Sequence, residues 1–166
     1  PRRMFLIATE GAKTEPVYFR SFNSRNAQVW VDCHGSDTNK SAPNQVLARM
    51  ERLLRGKETQ EGDEAWIVID RDQWSDSQIQ RLSKWSTQEA HYGLAVSMPQ
   101  FEFWLLLHFE DGNKIQDKSA CIKRLRHHIP DYDKGNMDIQ RIMPGVKEAV
   151  KRAKARHVRE DTPPWP

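Results

Sequence analysis

Two continuous apolar runs, Met4-Phe5-Leu6-Ile7-Ala8 and Ala65-Trp66-Ile67-Val68-Ile69, constrain this chain more than any other feature. A strand with one wet face alternates apolar and polar residues, so an unbroken run of five marks a strand covered on both faces. Helical patterns separate these runs. Thr14-Glu15-Pro16 reads as an N-cap, an acidic first-turn residue and an early proline, opening a helix that carries Val17, Phe19 and Phe22. Val29-Trp30-Val31 is a short second strand. Ser41 then caps, with Pro43 in the first turn, a helix whose apolar face is Val46, Leu47, Met50, Leu53 and Leu54 and which Gly56 can end. Asp76 caps a further helix with Ile79, Leu82 and Trp85 inward, and Gly93-Leu94-Ala95-Val96 is the fourth strand. The order β-α-β-α-β-α-β predicts an α/β fold: a Rossmann-like, mostly parallel four-stranded sheet flanked by helices, wound through right-handed crossovers.

Beyond Pro99 the strand signals stop. Phe101 to Phe109 is too apolar for a surface helix, Ile122, Leu125 and Ile129 predict a helix after Lys118-Ser119, and Val146, Ala149, Val150 and Ala153 repeat at helical spacing. Lys147, Lys151, Arg152, Lys154 and Arg156 take the remaining faces of that last helix, and Thr162-Pro163-Pro164-Trp165-Pro166 cannot continue it. The expected division is a catalytic core over 1–110 and a basic helical extension over 111–166 packed on the same domain. A chain of 166 residues is long enough to bury a core of its own.

Several function classes drop out. No apolar stretch approaches the roughly 20 residues of a membrane-spanning helix, and Pro1-Arg2-Arg3 leads straight into Met4 without the charged, apolar and small-residue pattern of a secretory signal. Cys33 and Cys121 form no CxxC pair, so neither a disulfide framework nor a zinc ribbon is readable, and a reducing, cytoplasmic setting is expected. Cys33-His34 with Cys121, His127 and His128 is too irregular for a zinc site. Charge is uneven: residues 1–110 hold 13 Lys and Arg against 15 Asp and Glu, whereas residues 111–166 hold 13 against 8. Excess Lys and Arg most often solvates a helix face; beside a carboxylate centre it also suits an anionic partner.

Acidic residues at strand ends carry the chemistry. In an open α/β sheet the C-terminal ends of the strands form the crevice where ligands sit. Glu10 closely follows the first strand, and Asp70 and Asp72 leave the third as Ile69-Asp70-Arg71-Asp72. Two carboxylates at i and i+2, with a third from a neighbouring strand, make an oxygen-rich site suited to Mg²⁺ or Mn²⁺ and hence to phosphoryl transfer. In Glu10-Gly11-Ala12-Lys13-Thr14, Gly11 permits a tight turn and the helix start beside Lys13 offers N–H groups to an anion, although the spacing is not that of a P-loop. Glu102, embedded in Phe101-Glu102-Phe103-Trp104-Leu105-Leu106-Leu107-His108-Phe109-Glu110, is costly to bury unless paired. It reads either as a fourth active-site acid or as the partner of Arg71 or Arg20. Trp66, Trp85 and Trp104 lie on apolar faces, whereas Trp74, beside the Asp70 turn, is placed to stack on a base.

The string Glu-Gly-x-Lys-Thr-Glu-Pro-x-Tyr-Phe at 10–19, the strand ending in Asp70-Arg71-Asp72, and the Phe101 to Glu110 box together resemble the RloB-like family. That family is assigned a Toprim-type fold, related to the nucleases of OLD-type proteins and to topoisomerases and primases. The resemblance covers about residues 4–110 in three ordered motifs and extends to the basic C-terminal region in character alone. It implies that Glu10 is the Toprim glutamate, that Asp70 and Asp72 are the DxD metal ligands, and that Glu102 is the acid of the phenylalanine-glutamate box. It also implies a bacterial defence or restriction setting with an ATPase encoded alongside. The expected activity is a Mg²⁺- or Mn²⁺-dependent endonuclease acting on DNA or RNA. Lys13, Lys147, Lys151, Arg152, Lys154 and Arg156 would contact phosphate. The alternatives are a non-catalytic nucleic-acid-binding or ATPase-docking module on the same scaffold, and a phosphatase using Asp70 as nucleophile, which leaves Glu10 idle.

Overall fold

A computed structural model describes residues 2–37, 40–71 and 73–159. The chain forms two compact units, one from the N-terminus to Val96 and the other from Ser97 onward. The division falls at the end of the last strand, so the box around Glu102 belongs with the C-terminal helices.

The first unit runs β1 (Arg3–Thr9), α1 (Thr14–Arg20), β2 (Val29–His34), α2 (Pro43–Arg55), β3 (Glu64–Asp70), α3 (Asp76–Ser86) and β4 (Tyr92–Ser97). The strands lie in the order β2-β1-β3-β4 in an all-parallel sheet. β1 pairs with β2 through Leu6 opposite Asp32 and with β3 through Leu6 opposite Ala65. The two apolar runs are therefore the central strands, as their composition requires. Leu6 and Ala8 of β1 with Ala65, Ile67 and Ile69 of β3 form one covered face, against Val46 and Met50 of α2 and Ile79, Leu82 and Trp85 of α3. Ile7, Val31, Cys33 and Val68, also buried, alternate with these residues and point to the opposite face. Each Leu, Ile, Val or Met among them taken fully out of water contributes about 1.5–3 kcal/mol.

Local signals decide the helix ends, with small shifts from the sequence expectation. Gly56 is the C-cap of α2, while its N-cap is Ala42, whose N–H is taken by Gln45 Oε1 at 3.1 Å, so Ser41 is not the cap. Ser75 rather than Asp76 caps α3: its Oγ accepts the Gln78 N–H, and Gln78 Oε1 accepts the Ser75 N–H at 2.9 Å, a reciprocal capping box. In α1 the buried aromatic is Tyr18, which meets Phe19 and Phe22 edge-on, while Val17 turns outward. The edge strand β2 is three residues longer than expected. Asn23 closes its outer rim by accepting the Val31 N–H at 2.7 Å and donating to the Val31 carbonyl at 2.8 Å, and Arg20 donates to the Cys33 carbonyl at 2.6 Å. Side chains thus satisfy backbone groups that another strand would otherwise pair with.

The second unit contains α4 (Phe101–Leu106), α5 (Lys118–His128), α6 (Ile139–Ile142) with a 3₁₀ turn at Met143–Gly145, and α7 (Val146–Arg159). α4 packs against α5 and α7, and Phe101, Leu105, Leu106, Leu125, Ile142 and Ala149 are buried. Arg152 donates to the Leu107 carbonyl at 2.7 Å and Arg156 lies 4.8 Å over the Phe103 ring, seating α7. His108 is buried with Nδ1 2.9 Å from the Trp104 carbonyl oxygen. Burial pushes its pKa below the ordinary histidine value, against the opposing bonds to the Trp104 and Leu105 carbonyls. The unfolded chain then binds a proton more readily than the native one, so this stabilisation is complete above the ordinary histidine pKa and is lost progressively as pH falls from there through the lower native pKa. In urea titrations at about pH 7.5 and about pH 5.5, His108→Gln is expected to lose less stability on acidification than the unmodified chain. Equal losses would show that His108 carries none of the acid sensitivity.

Candidate active site

The strand order places the reversal of winding between β1 and β3, because α1 leads outward to β2 and the next crossover returns past β1. At such a switch point the loops diverge and leave a crevice at the strand C-termini. Glu10 leaves β1 there and Asp70 ends β3. The Glu10 N–H donates to the Val68 carbonyl at 2.9 Å, which carries the strand pairing one residue past β1. Its carboxylate crosses to β3, where Oε2 accepts the Asp70 N–H at 2.8 Å and the Trp74 indole N–H at 3.2 Å. Glu10 and Asp70 are both half-buried, so the site keeps access to solvent.

Side chains brace the turn that carries Glu10. Thr9 Oγ1 donates to the Gly11 carbonyl at 2.8 Å, the Ser36 N–H reaches that carbonyl at 3.3 Å, and Ser36 Oγ donates to the carbonyls of Thr9 and Glu10. Glu15 is buried and its Oε1 accepts the Gly11 N–H at 3.2 Å. A Cβ on Gly11 would run into that carboxylate, so a larger residue here would displace Glu15 from the Gly11 N–H. Glu15 also changes the reading of Lys13. The helix start expected to receive an anion carries its own carboxylate, and Lys13 stands exposed at the N-cap.

The remaining sequence candidates are distributed as follows. Asp72 lies outside the described residues. Trp74 is not an open stacking surface: it packs against the core of the first unit and spends its N–H on Glu10. Glu102 is buried in α4 of the second unit; its Oε1 accepts the Tyr132 hydroxyl at 3.0 Å and lies 3.4 Å from Lys134 Nζ. Neither arginine expected to neutralise it does so: Arg20 bonds the Cys33 carbonyl, and Arg71 bonds the Trp74 carbonyl and pairs with Asp76. On α7, Lys147 and Lys154 are exposed and Lys151 pairs with Glu148 at 2.8 Å. Arg152 and Arg156 are turned inward, Arg152 also approaching Asp111 at 3.3 Å, so only part of the basic helix is presented to solvent. Cys33 is buried, and burial pushes its thiol up to about 12 despite Arg20, which keeps it protonated and unreactive as a nucleophile.

Among the described residues no group of three or more His, Cys, Asp or Glu is arranged to hold a metal ion. Glu10 and Asp70 nonetheless supply carboxylate oxygens from adjacent strand ends, the donor type a hard divalent cation selects. At the edge of the sheet His34 Nε2 lies 2.9 Å from Asp32 Oδ1 and Lys57 pairs with the same carboxylate. A cavity of about 360 Å³ lined by Arg2, Met4, Trp30, Glu58, Gln60 and Asp63 opens at the other, N-terminal end of the strands, away from Glu10. No helix among the described residues is long and apolar enough to cross a membrane.

A family model described as RloB-like protein matches residues 5–164. No curated protein and no solved structure matches the chain.

Proposed function

The chain belongs to the RloB-like family, and from that premise we propose that it is a metal-dependent nuclease that hydrolyses phosphodiester bonds of DNA or RNA. The observation that carries the reading is the meeting of Glu10 and Asp70 at the switch point between β1 and β3, with Glu10 Oε2 accepting the Asp70 N–H. Glu10 serves the Asp70 and Trp74 N–H donors and, with Asp70, brings carboxylates from two adjacent strand ends to the crevice where a ligand of an open α/β sheet sits. Glu10, Asp70 and Asp72 would hold Mg²⁺ or Mn²⁺. Such a cation, when bound, offsets charge on the phosphate and on the departing oxygen.

The protein's own groups then divide the work. Glu10, oriented by two N–H donors, holds or takes a proton at its carboxylate as general base or acid. Lys13 and the exposed Lys147 and Lys154 are among the cations that would contact phosphate. Glu102, held by Tyr132, is the residue that the resemblance assigns as the acid of the phenylalanine-glutamate box. An effector role in bacterial anti-phage defence or restriction, with an ATPase partner, completes the proposal and draws on the resemblance of the three motifs.

The test is incubation of the purified full chain with DNA and RNA in Mg²⁺ or Mn²⁺, with chelator controls and with the partner ATPase added. Cation-dependent cleavage supports the nuclease. Tight binding without cleavage in every arm leaves the non-catalytic module on the same scaffold. Replacing Lys147 and Lys154 together by Ala is expected to weaken binding to duplex DNA and to flatten its salt dependence, by about 0.9 in the log–log slope for each phosphate that is no longer neutralised. An unchanged slope with unchanged affinity would make α7 a solvated face.

A further inference from the structure

Arg49 occupies an unexpected place on α2. The inward stripe of that helix includes Val46, Arg49 and Met50; the two apolar residues are fully buried, and Arg49 lies among them with 9% of the residue exposed. Burial works against its charge, Asp37 favours the charge and Arg52 opposes it. An apolar side chain would fill the stripe without that desolvation cost, so the guanidinium must be held there by what it bonds. Nη1 donates to the Thr9 carbonyl at 2.9 Å and Nη2 to the Lys40 carbonyl at 2.8 Å. One planar fork thereby ties the end of β1 to the segment between β2 and α2.

Thr9 is the residue immediately before Glu10. With Arg49 and Ser36 on the Thr9 carbonyl, Ser36 on that of Glu10, and Thr9 and Ser36 on that of Gly11, three successive carbonyls are bonded. These bonds hold the backbone of Glu10 in the orientation from which its carboxylate reaches the Asp70 N–H and Trp74. We propose that Arg49 is a positioning residue for Glu10, clamping the strand end so that the carboxylate stays in the crevice; the inference rests on the catalytic reading of Glu10. Lysine could not replace it fully, because an ammonium lacks the rigid fork that engages two carbonyls at once.

Two reporters read the clamp without any activity measurement: the Asp70 amide and the Trp74 indole N–H, both bonded to Glu10. In the ¹⁵N-labelled full chain, Arg49→Met is expected to speed exchange of the Asp70 amide by about tenfold or more and to move the Trp74 indole resonance. The Leu6 and Ile67 amides should keep their rates. Arg49→Lys should fall between, and cleavage should show a reduced kcat with the KM for nucleic acid unchanged. Ser36→Ala, which leaves the buried charge in place, should move the same two signals and serves if Arg49→Met does not fold. Unmoved Asp70 and Trp74 signals in the folded variants, or a parallel rise in exchange at Leu6 and Ile67, would overturn the proposal. Moved signals in a chain whose unmodified form cleaves nothing under any metal would uphold the clamp and reject the nuclease reading.

Discussion

Glu10→Gln is expected to reduce cleavage by about 10²- to 10⁴-fold, the range over which a positioned general acid or base acts, while leaving the fold intact. The amide keeps the volume of the carboxylate and retains one oxygen that can accept the Asp70 N–H at 2.8 Å and the Trp74 indole. The Thr9 to Gly11 turn is braced through its backbone, so no brace is lost with the charge. What disappears is a basic oxygen and one negative charge toward a cation. Single-turnover cleavage in Mg²⁺ and Mn²⁺, with circular dichroism to verify the fold, measures this directly. Turnover within a few-fold of the unmodified chain would remove Glu10 from the chemistry.

Ile67→Ala should destabilise the first unit by about 2–5 kcal/mol, the usual cost of deleting most of a buried aliphatic side chain. Ile67 has no exposed surface, lies at the middle of β3, and belongs to the cluster formed by Leu6, Ala8, Val46, Met50, Ile79 and Leu82. Neighbours on two strands and two helices cannot all close over the space it leaves, so the cavity term adds to the lost transfer energy. Denaturant titration followed by far-ultraviolet circular dichroism reads the loss as a lower midpoint at constant slope. A loss under about 1 kcal/mol would mean that the helices cover the central strand only loosely. Because β3 also carries Asp70, any metal affinity at the Glu10 site should disappear in the same transition that unfolds this unit.

The two units place the site residues under different kinds of control. Glu10 and Asp70 are backbone consequences of where two parallel strands end, so their neighbourhood follows from the sheet itself. Glu102 depends on a side-chain partner supplied 30 residues later, the Tyr132 hydroxyl. A buried carboxylate that loses a donor incurs the desolvation cost of that group, so Tyr132, together with Lys134 at 3.4 Å, is where substitutions in the second unit would reach Glu102.

What the amino-acid sequence determined by itself is everything with a local period. Unbroken apolar runs became the covered central strands, i, i+3, i+4 spacing became the inward faces of α2 and α3, and Glu10 and Asp70 stood at strand ends because the apolar runs stopped there. What the tertiary structure decided depends on neighbours distant in the chain. Strand order put β1 beside β3, and with it Glu10 beside Asp70, 60 residues away. Trp74 turned from a candidate base stack into a donor to Glu10. Arg49, unreadable as more than a charge in an apolar stripe, became a clamp because its fork reaches a carbonyl 40 residues earlier. Arg152 and Arg156, equal in sequence to Lys147 and Lys154, turned inward because carbonyls of Leu107 and Asp111 lie within their reach. Periodicity reports which side of an element is dry; which partner waits there is set by the fold.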